Sequence, residues 1–320
     1  MSWLIAGLLW ALTVAKVLTR RRGQSQVMLW CSFVFAASFS TDIGQLFQPI
    51  DSMLGGWNST NIGGHLLFSL GVYLLARSVV AAGAPKHARW IDGWSRLLLG
   101  AVMAAQVTSF AFVRTSGPSA HFSLAYGNQD AALWYALVEI FYAIVVLGTT
   151  GIIALVHSGR MRSWRYGWGM RFISLGCALA LATEASGIES VVRIHDDTTA
   201  GLSVFSRQHD ILFGLAGATL VLGFGLPSVT GWIIRTRRRR EAVRRIEILR
   251  PIWETATASR RSIGPGRTAS ASLQLHRMVV EIRDATLVDP EVLKTIRERF
   301  GSEAESRLDE SERFLSGNAA

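Results

Sequence analysis

Apolar residues in this chain gather into long runs instead of alternating with polar ones. A helix that crosses a bilayer needs about 20 mostly apolar residues. Seven runs approach that length: Trp3–Leu18, Val27–Phe47, Ile62–Ala82, Leu97–Val113, Ala131–Val156, Arg171–Ser190 and Asp210–Ile234. Most are apolar around the whole circumference, which predicts lipid-embedded helices and not amphipathic surface ones. The second run is interrupted by Asp42, and the sixth by Glu184 and Glu189. Beyond residue 234 no run is long enough to span. There the spacing predicts a helix from Arg238 to about Leu249, continuing from the seventh run and ending at Pro251 and Trp253. A flexible linker rich in Ser, with Gly264, Pro265 and Gly266, covers 258–272. Leu275, Met278, Val279 and Ile282 then repeat at i, i+3, i+4, i+7, one apolar face of a helix. Asp289 followed by Pro290 signals another helix start. That helix would bury Leu293, Ile296 and Phe300 and run on through the acidic stretch Glu303–Glu312. Such short amphipathic helices are not stable alone and need one another, the membrane face or a partner.

The fold class expected is therefore all-α. It is a polytopic membrane protein with a seven-helix transmembrane domain at 1–234 and a small helical cytoplasmic domain at 235–320. Loop charge sets the threading. With the N-terminus outside, the short cytoplasmic loops collect Arg20, Arg21, Arg22, Arg77, Lys86, Arg89, Arg96, Arg160, Arg162, Arg165 and Arg171. The external loops hold only Arg114, Arg193 and Arg207. An even number of spans would put one basic cluster outside. Only Met1 and Ser2 precede the first run, and its basic cluster follows it, which is the order of a membrane helix and not of a secretory leader. Trp57, Trp90, Trp94, Trp134, Trp164, Trp168 and Trp232 fall near run ends, where indoles favour the interface.

Composition agrees. Half of the 320 residues are hydrophobic and 18% are charged, below the roughly 25% usual in soluble domains, and mean hydropathy is +0.29. The formal net charge of +10 needs no nucleic acid to explain it, since anionic lipid headgroups are the natural counter-charge to basic cytoplasmic loops. The tail is polarised: Arg235–Arg283 carries 13 basic and 4 acidic residues, Asp284–Ala320 carries 5 and 9. Cys31 and Cys177 lie inside apolar runs with no CxxC partner or metal-ligand spacing, so they read as small buried hydrophobes.

Several residues resemble a known family. Pro49, Asp51, Asn61 and His65-Leu66 are similar to its second external turn. Leu249-Arg250-Pro251-Ile252-Trp253 resembles its L-x-P-[LI]-W motif. Leu275 to Asp284 resembles its L-x-R-x-V-x-E-I-R-D helix, with Arg277, Glu281, Arg283 and Asp284 as a candidate tail interaction motif. The family is a group of actinobacterial seven-helix membrane proteins assigned to transport, with a C-terminal cytoplasmic domain of unknown function. The resemblance covers nearly the full chain and implies a transporter, although the segment after Asp289 is short for that domain.

Ionisable residues within spanning segments are costly and are functional candidates. Here they are Lys16, Asp42, His65, Glu139, Glu184 and Glu189, with His209-Asp210 at the entrance of the seventh run. The threading puts all but Lys16 in the outer half of the bilayer. Asp42, His65, Glu139, Glu184 and Asp210 are thus expected to line an outward-facing polar cavity for a polar or cationic ligand. The competing reading is interhelical hydrogen bonding that only fixes packing. His195, Asp196 and Asp197 match no metal site, and no cofactor is expected. No enzyme activity is expected either: G-x-S-x-G, H-E-x-x-H and G-x-x-x-x-G-K-[ST] are absent. The seventh run has no Lys for a Schiff base. No inverted repeat of the kind many carriers show is visible. Transport, sensing through the tail and membrane-anchored scaffolding for a soluble cytoplasmic protein remain as readings, all in the plasma membrane.

Overall fold

The computed structural model describes residues 2–18, 26–83, 88–161, 163–196, 202–258 and 270–316. Among them every regular element is a helix. In chain order these are α1 Ser2–Leu18, α2 Val27–Thr41, α3 Gly44–Met53, α4 Ser59–Gly83, α5 Ala88–Ala111, α6 Phe122–Tyr126, α7 Asp130–Ser158, α8 Trp164–His195, α9 Leu202–Thr257, α10 Ala271–Val288, α11 Pro290–Phe300 and α12 Glu303–Leu315. Arg20, Arg21, Arg22, Lys86, Arg162 and Asp197 lie outside the described residues, as do residues 259–269 of the expected linker.

Four helices, α4, α7, α8 and α9, are long and apolar enough to cross a membrane. The apolar helix α1 is shorter. α5 begins with Arg89, Asp92 and Arg96 in its first turns. Large apolar side chains such as Phe141, Ile152 and Leu155 on α7 are exposed, as are all seven tryptophans assigned above to run ends. An apolar exterior of this extent marks a membrane protein, because water would not tolerate it.

The second run departs from expectation. Val27–Phe47 is not one helix: α2 stops at Thr41, and α3 leaves at 94°. The cause is local. The hydroxyls of Ser40 and Thr41 bond back to the carbonyls of Ala36 and Ser38 at 2.7 and 2.6 Å, loosening the helix end. Ile43 then adopts extended backbone. Asp42 is therefore placed at a helix end and not within a continuous span.

The chain divides into two compact units, Met1–Thr230 and Gly231–Ala320. In the first, α7 packs on α8, α2 on α1 and α4, and α4 and α5 on α7. Close approach of α8 to α9 depends on glycine: a Cβ on Gly223 would sit 3.0 Å from the Gly169 carbonyl oxygen and from the Ile173 amide. Cys31 and Cys177 are buried free thiols, and Cys31 donates to the Gly71 carbonyl at 3.7 Å.

The second unit has its own core. Ala242, Ile246, Leu249, Ile252 and Ala256 of α9 meet Leu275, Met278, Val279, Ile282 and Ala285 of α10, with Ile296, Ala304 and Leu308 from the last two helices. Two boundaries differ from the sequence reading. α9 continues through Pro251 to Thr257, since Leu249, Ile252 and Ala256 are all core residues that only a continued helix can present on one face. The helix after Asp289 breaks at Gly301, whose positive φ of 67° suits glycine, so α11 and α12 are separate. The Asp289 side chain caps α11 by accepting the Glu291 amide at 3.1 Å, with Pro290 at the first position. Ala271 and Ser272, read as linker, are helical and follow the N-cap Ser270.

Candidate functional site

The site begins with a cap. Asp51, fully buried, accepts the amides of Asn58 and Thr60 at 3.2 and 2.9 Å, so a carboxylate holds the N-terminus of α4. Asn58 has φ +58°, a left-handed conformation asparagine tolerates better than most residues. Its amide donates to the Gly117 carbonyl at 2.9 Å, and its side-chain oxygen accepts the Ser119 amide at 2.7 Å. One turn thus fixes both the start of α4 and the loop after α5. Phe122 and Tyr126 of α6, which follows that loop, form a small aromatic core with Tyr135 of α7.

Beneath this roof lies a cavity of about 470 Å³. Its walls are Ser38, Phe39 and Asp42 from the end of α2, His65 and Phe68 from α4, His121 and Phe122, Tyr135 and Glu139 from α7, Thr183 and Glu184 from α8, and His209, Asp210 and Phe213 from α9. Asp42, His65, Glu139, Glu184 and Asp210 therefore face one space, although they come from five helices. Lys16 and Glu189 do not. The Lys16 ammonium donates to Ser228 Oγ at 3.1 Å, and Glu189 pairs with Arg193 on the same face of α8. Glu189 is helical, as part of α8.

Within the cavity wall Glu139 is the best-connected acid. Its Oε2 accepts from His65 Nδ1 at 2.6 Å and from Gln106 Nε2 at 2.7 Å. Gln106, fully buried on α5, accepts the Ser69 hydroxyl at 3.4 Å, and Tyr142 donates to the Ser69 carbonyl at 3.3 Å. This is the interhelical hydrogen bonding weighed above, and it applies to Glu139. It does not extend to the rest. No described side chain donates a hydrogen bond to, or pairs with, the carboxylates of Asp42, Glu184 or Asp210. Tyr135 is 3% exposed, and its hydroxyl has no partner among the described residues. A buried unpaired hydroxyl on a cavity wall costs about 1–3 kcal/mol unless something fills the cavity.

Gln106 and Tyr135 are the members that sequence reasoning missed. Both are uncharged, so the search for ionisable groups passed over them. An amide inside the apolar run Leu97–Val113 was the available signal for Gln106. Among the described residues no group of three or more His, Cys, Asp or Glu is arranged to hold a metal ion.

The tail motif is used internally. The Trp253 indole donates to Glu281 Oε2 at 2.6 Å, so the two tail motifs meet. Arg277 binds Glu281 at 2.8 Å. Arg283 donates to Glu312 and Asp309 at 2.7 and 2.6 Å, and its hydrogen bond to Glu312 is the main cause of a guanidinium pKa raised above its ordinary value. The basic first half of the tail thus meets its acidic end, while Asp284 is exposed.

No protein-family model, curated protein or solved structure matches this chain.

Proposed function

We propose that this chain is a multi-pass protein of the plasma membrane that admits a polar or cationic solute into an outward-facing cavity and carries it across. In this reading seven helices span the bilayer, with the N-terminus outside, the tail in the cytoplasm and basic loops against anionic headgroups. The family resemblance belongs to the same proposal. The observation that carries it is the single cavity where Asp42, Glu139, Glu184 and Asp210 converge with only histidines as possible counter-charges. Asp42 and Asp210 are exposed and Glu139 is bonded, so the cost falls on Glu184, half-buried and without a bonded partner among the described residues, and a bound cation removes it. The test is uptake of labelled organic and inorganic cations into proteoliposomes. The double variant Glu139→Gln with Glu184→Gln, checked for folding by its melting temperature, is expected to lose uptake. Unchanged uptake in the folded variant overturns the proposal.

A second reading, sensing, is favoured by one observation. α9 carries the cavity residues His209, Asp210 and Phe213 and continues as the helix that supplies the tail core. A ligand that shifts this helix would signal to a soluble partner of the tail. Affinity capture from native membranes with the intact chain, and with a chain ending at Arg240, separates the readings. A partner retained only by the intact chain favours sensing or scaffolding.

A further inference from the structure

The carboxylate-lined cavity does not end in polar groups. At its inner end Phe39, Phe68, Thr183, Glu184 and Phe213 also border a second, apolar cavity of about 50 Å³, closed by residues that include Leu220 and Phe224. The Phe39 and Phe213 rings meet edge to face at 4.9 Å. Glu184 therefore stands at a threshold, with a polar vestibule on one side and an aromatic chamber on the other.

We infer that the solute is an amphiphilic organic cation, an ammonium group on a short apolar chain, with its head at Glu184 and its chain among Phe39, Phe68 and Phe213. This rests on the cation-binding reading above and narrows it. A hydrated inorganic cation gains nothing from a phenylalanine floor, because such surface offers no oxygen ligands to replace its water. An ammonium gains from the carboxylate and from the faces of nearby rings. Its chain gains by leaving water for an apolar space. The acidic cluster does not stand alone: Tyr135 lines the same cavity, and its buried hydroxyl, without a partner among the described residues, can accept an ammonium hydrogen after a small shift that opens it to the cavity. The size of the inner space sets the length of chain. A water-sized group occupies about 10–15 Å³ on this measure, so about 50 Å³ takes roughly three to five such groups.

The experiment is calorimetric titration of the full chain in nanodiscs with primary alkylammonium ions from methyl to octyl, against empty nanodiscs to subtract partition into lipid. Affinity is expected to rise about fourfold per methylene and to level off near a chain of roughly three to five carbons. Glu184→Gln is expected to abolish the gain over empty nanodiscs. Phe68→Leu should flatten the length dependence of affinity across the series. Equal affinity for methylammonium and its longer homologues overturns the amphiphile and leaves cation binding standing. Absence of binding by every member of the series overturns both.

Discussion

Tyr135 shows how a residue can work against the resting protein. Its hydroxyl is buried without a partner, so removing it should not destabilise the fold. Tyr135→Phe is expected to keep or slightly raise the melting temperature, because the desolvation cost of an unpaired hydroxyl disappears. The same substitution should weaken binding of the transported cation about tenfold, the worth of one lost hydrogen bond. A melting curve and a binding isotherm on one preparation check both signs. A purely structural tyrosine would show the reverse, a lower melting temperature with unchanged affinity. Asp51 is the opposite kind of residue. It lies outside the cavity wall and holds the α4 start through the amides of Asn58 and Thr60. Asp51→Ala leaves two buried amides unpaired and should cost about 1–3 kcal/mol, read as a lower melting temperature.

At the scale of elements, a close backbone approach between α8 and α9 separates two glycines of the same helix. A Cβ on Gly223 would meet backbone, the Gly169 oxygen and the Ile173 nitrogen, each at 3.0 Å. A Cβ on Gly217 would meet only side-chain carbons of Ile5, the nearest at 3.0 Å. Alanine gains about 1 kcal/mol of helix propensity over glycine at either site. At Gly223, where Ile173 Cγ1 at 2.7 Å is crowded as well as backbone, overpacking of about 1–3 kcal/mol outweighs that gain, whereas at Gly217 a shift of Ile5 by a few tenths of an ångström relieves the contact. Gly223→Ala is therefore expected to lower the melting temperature and Gly217→Ala to leave it unchanged or higher. Thermal melts of the two variants in one detergent decide it. None of this was legible in the sequence, since a glycine does not announce its neighbour. The helices themselves were legible, because apolar runs of this length have few other uses. Their ends were not. The break after Thr41 depends on hydroxyls bonding back into their own helix, and the continuation through Pro251 on a core formed with α10.

For the whole molecule the sequence revealed which residues belong together and little about how. Asp42, His65, Glu139, Glu184 and Asp210 stood out because charge is costly inside apolar runs, and all five line one cavity. Tyr135 and the phenylalanine floor were invisible, because aromatic residues are ordinary in such runs, and Gln106 showed only as an amide in an apolar run. Threading is the property on which every functional reading depends, and it is a matter of parity. Four helices pass on length and apolarity, the α2 and α3 pair together would be a fifth, and α1 and α5 fall short by length and by charge. Seven spans need α1, the bent pair and α5 all to cross. Replacing Cys31 and Cys177 by Ala and adding single cysteines tests this. Ser116→Cys lies on the exposed loop after α5, and Ser316→Cys at the exposed end of α12. An impermeant maleimide should label Ser116→Cys in intact cells and Ser316→Cys only after permeabilisation. Labelling of both in intact cells would leave an even number of crossings between the two positions and put the tail outside. It would leave α5 in the sense its charge predicts but put the basic cluster Arg235 to Arg240 on the outer face. Labelling of Ser316→Cys alone in intact cells would invert the whole threading and turn the carboxylate cavity toward the cytoplasm. The same cation would then be a solute leaving the cell.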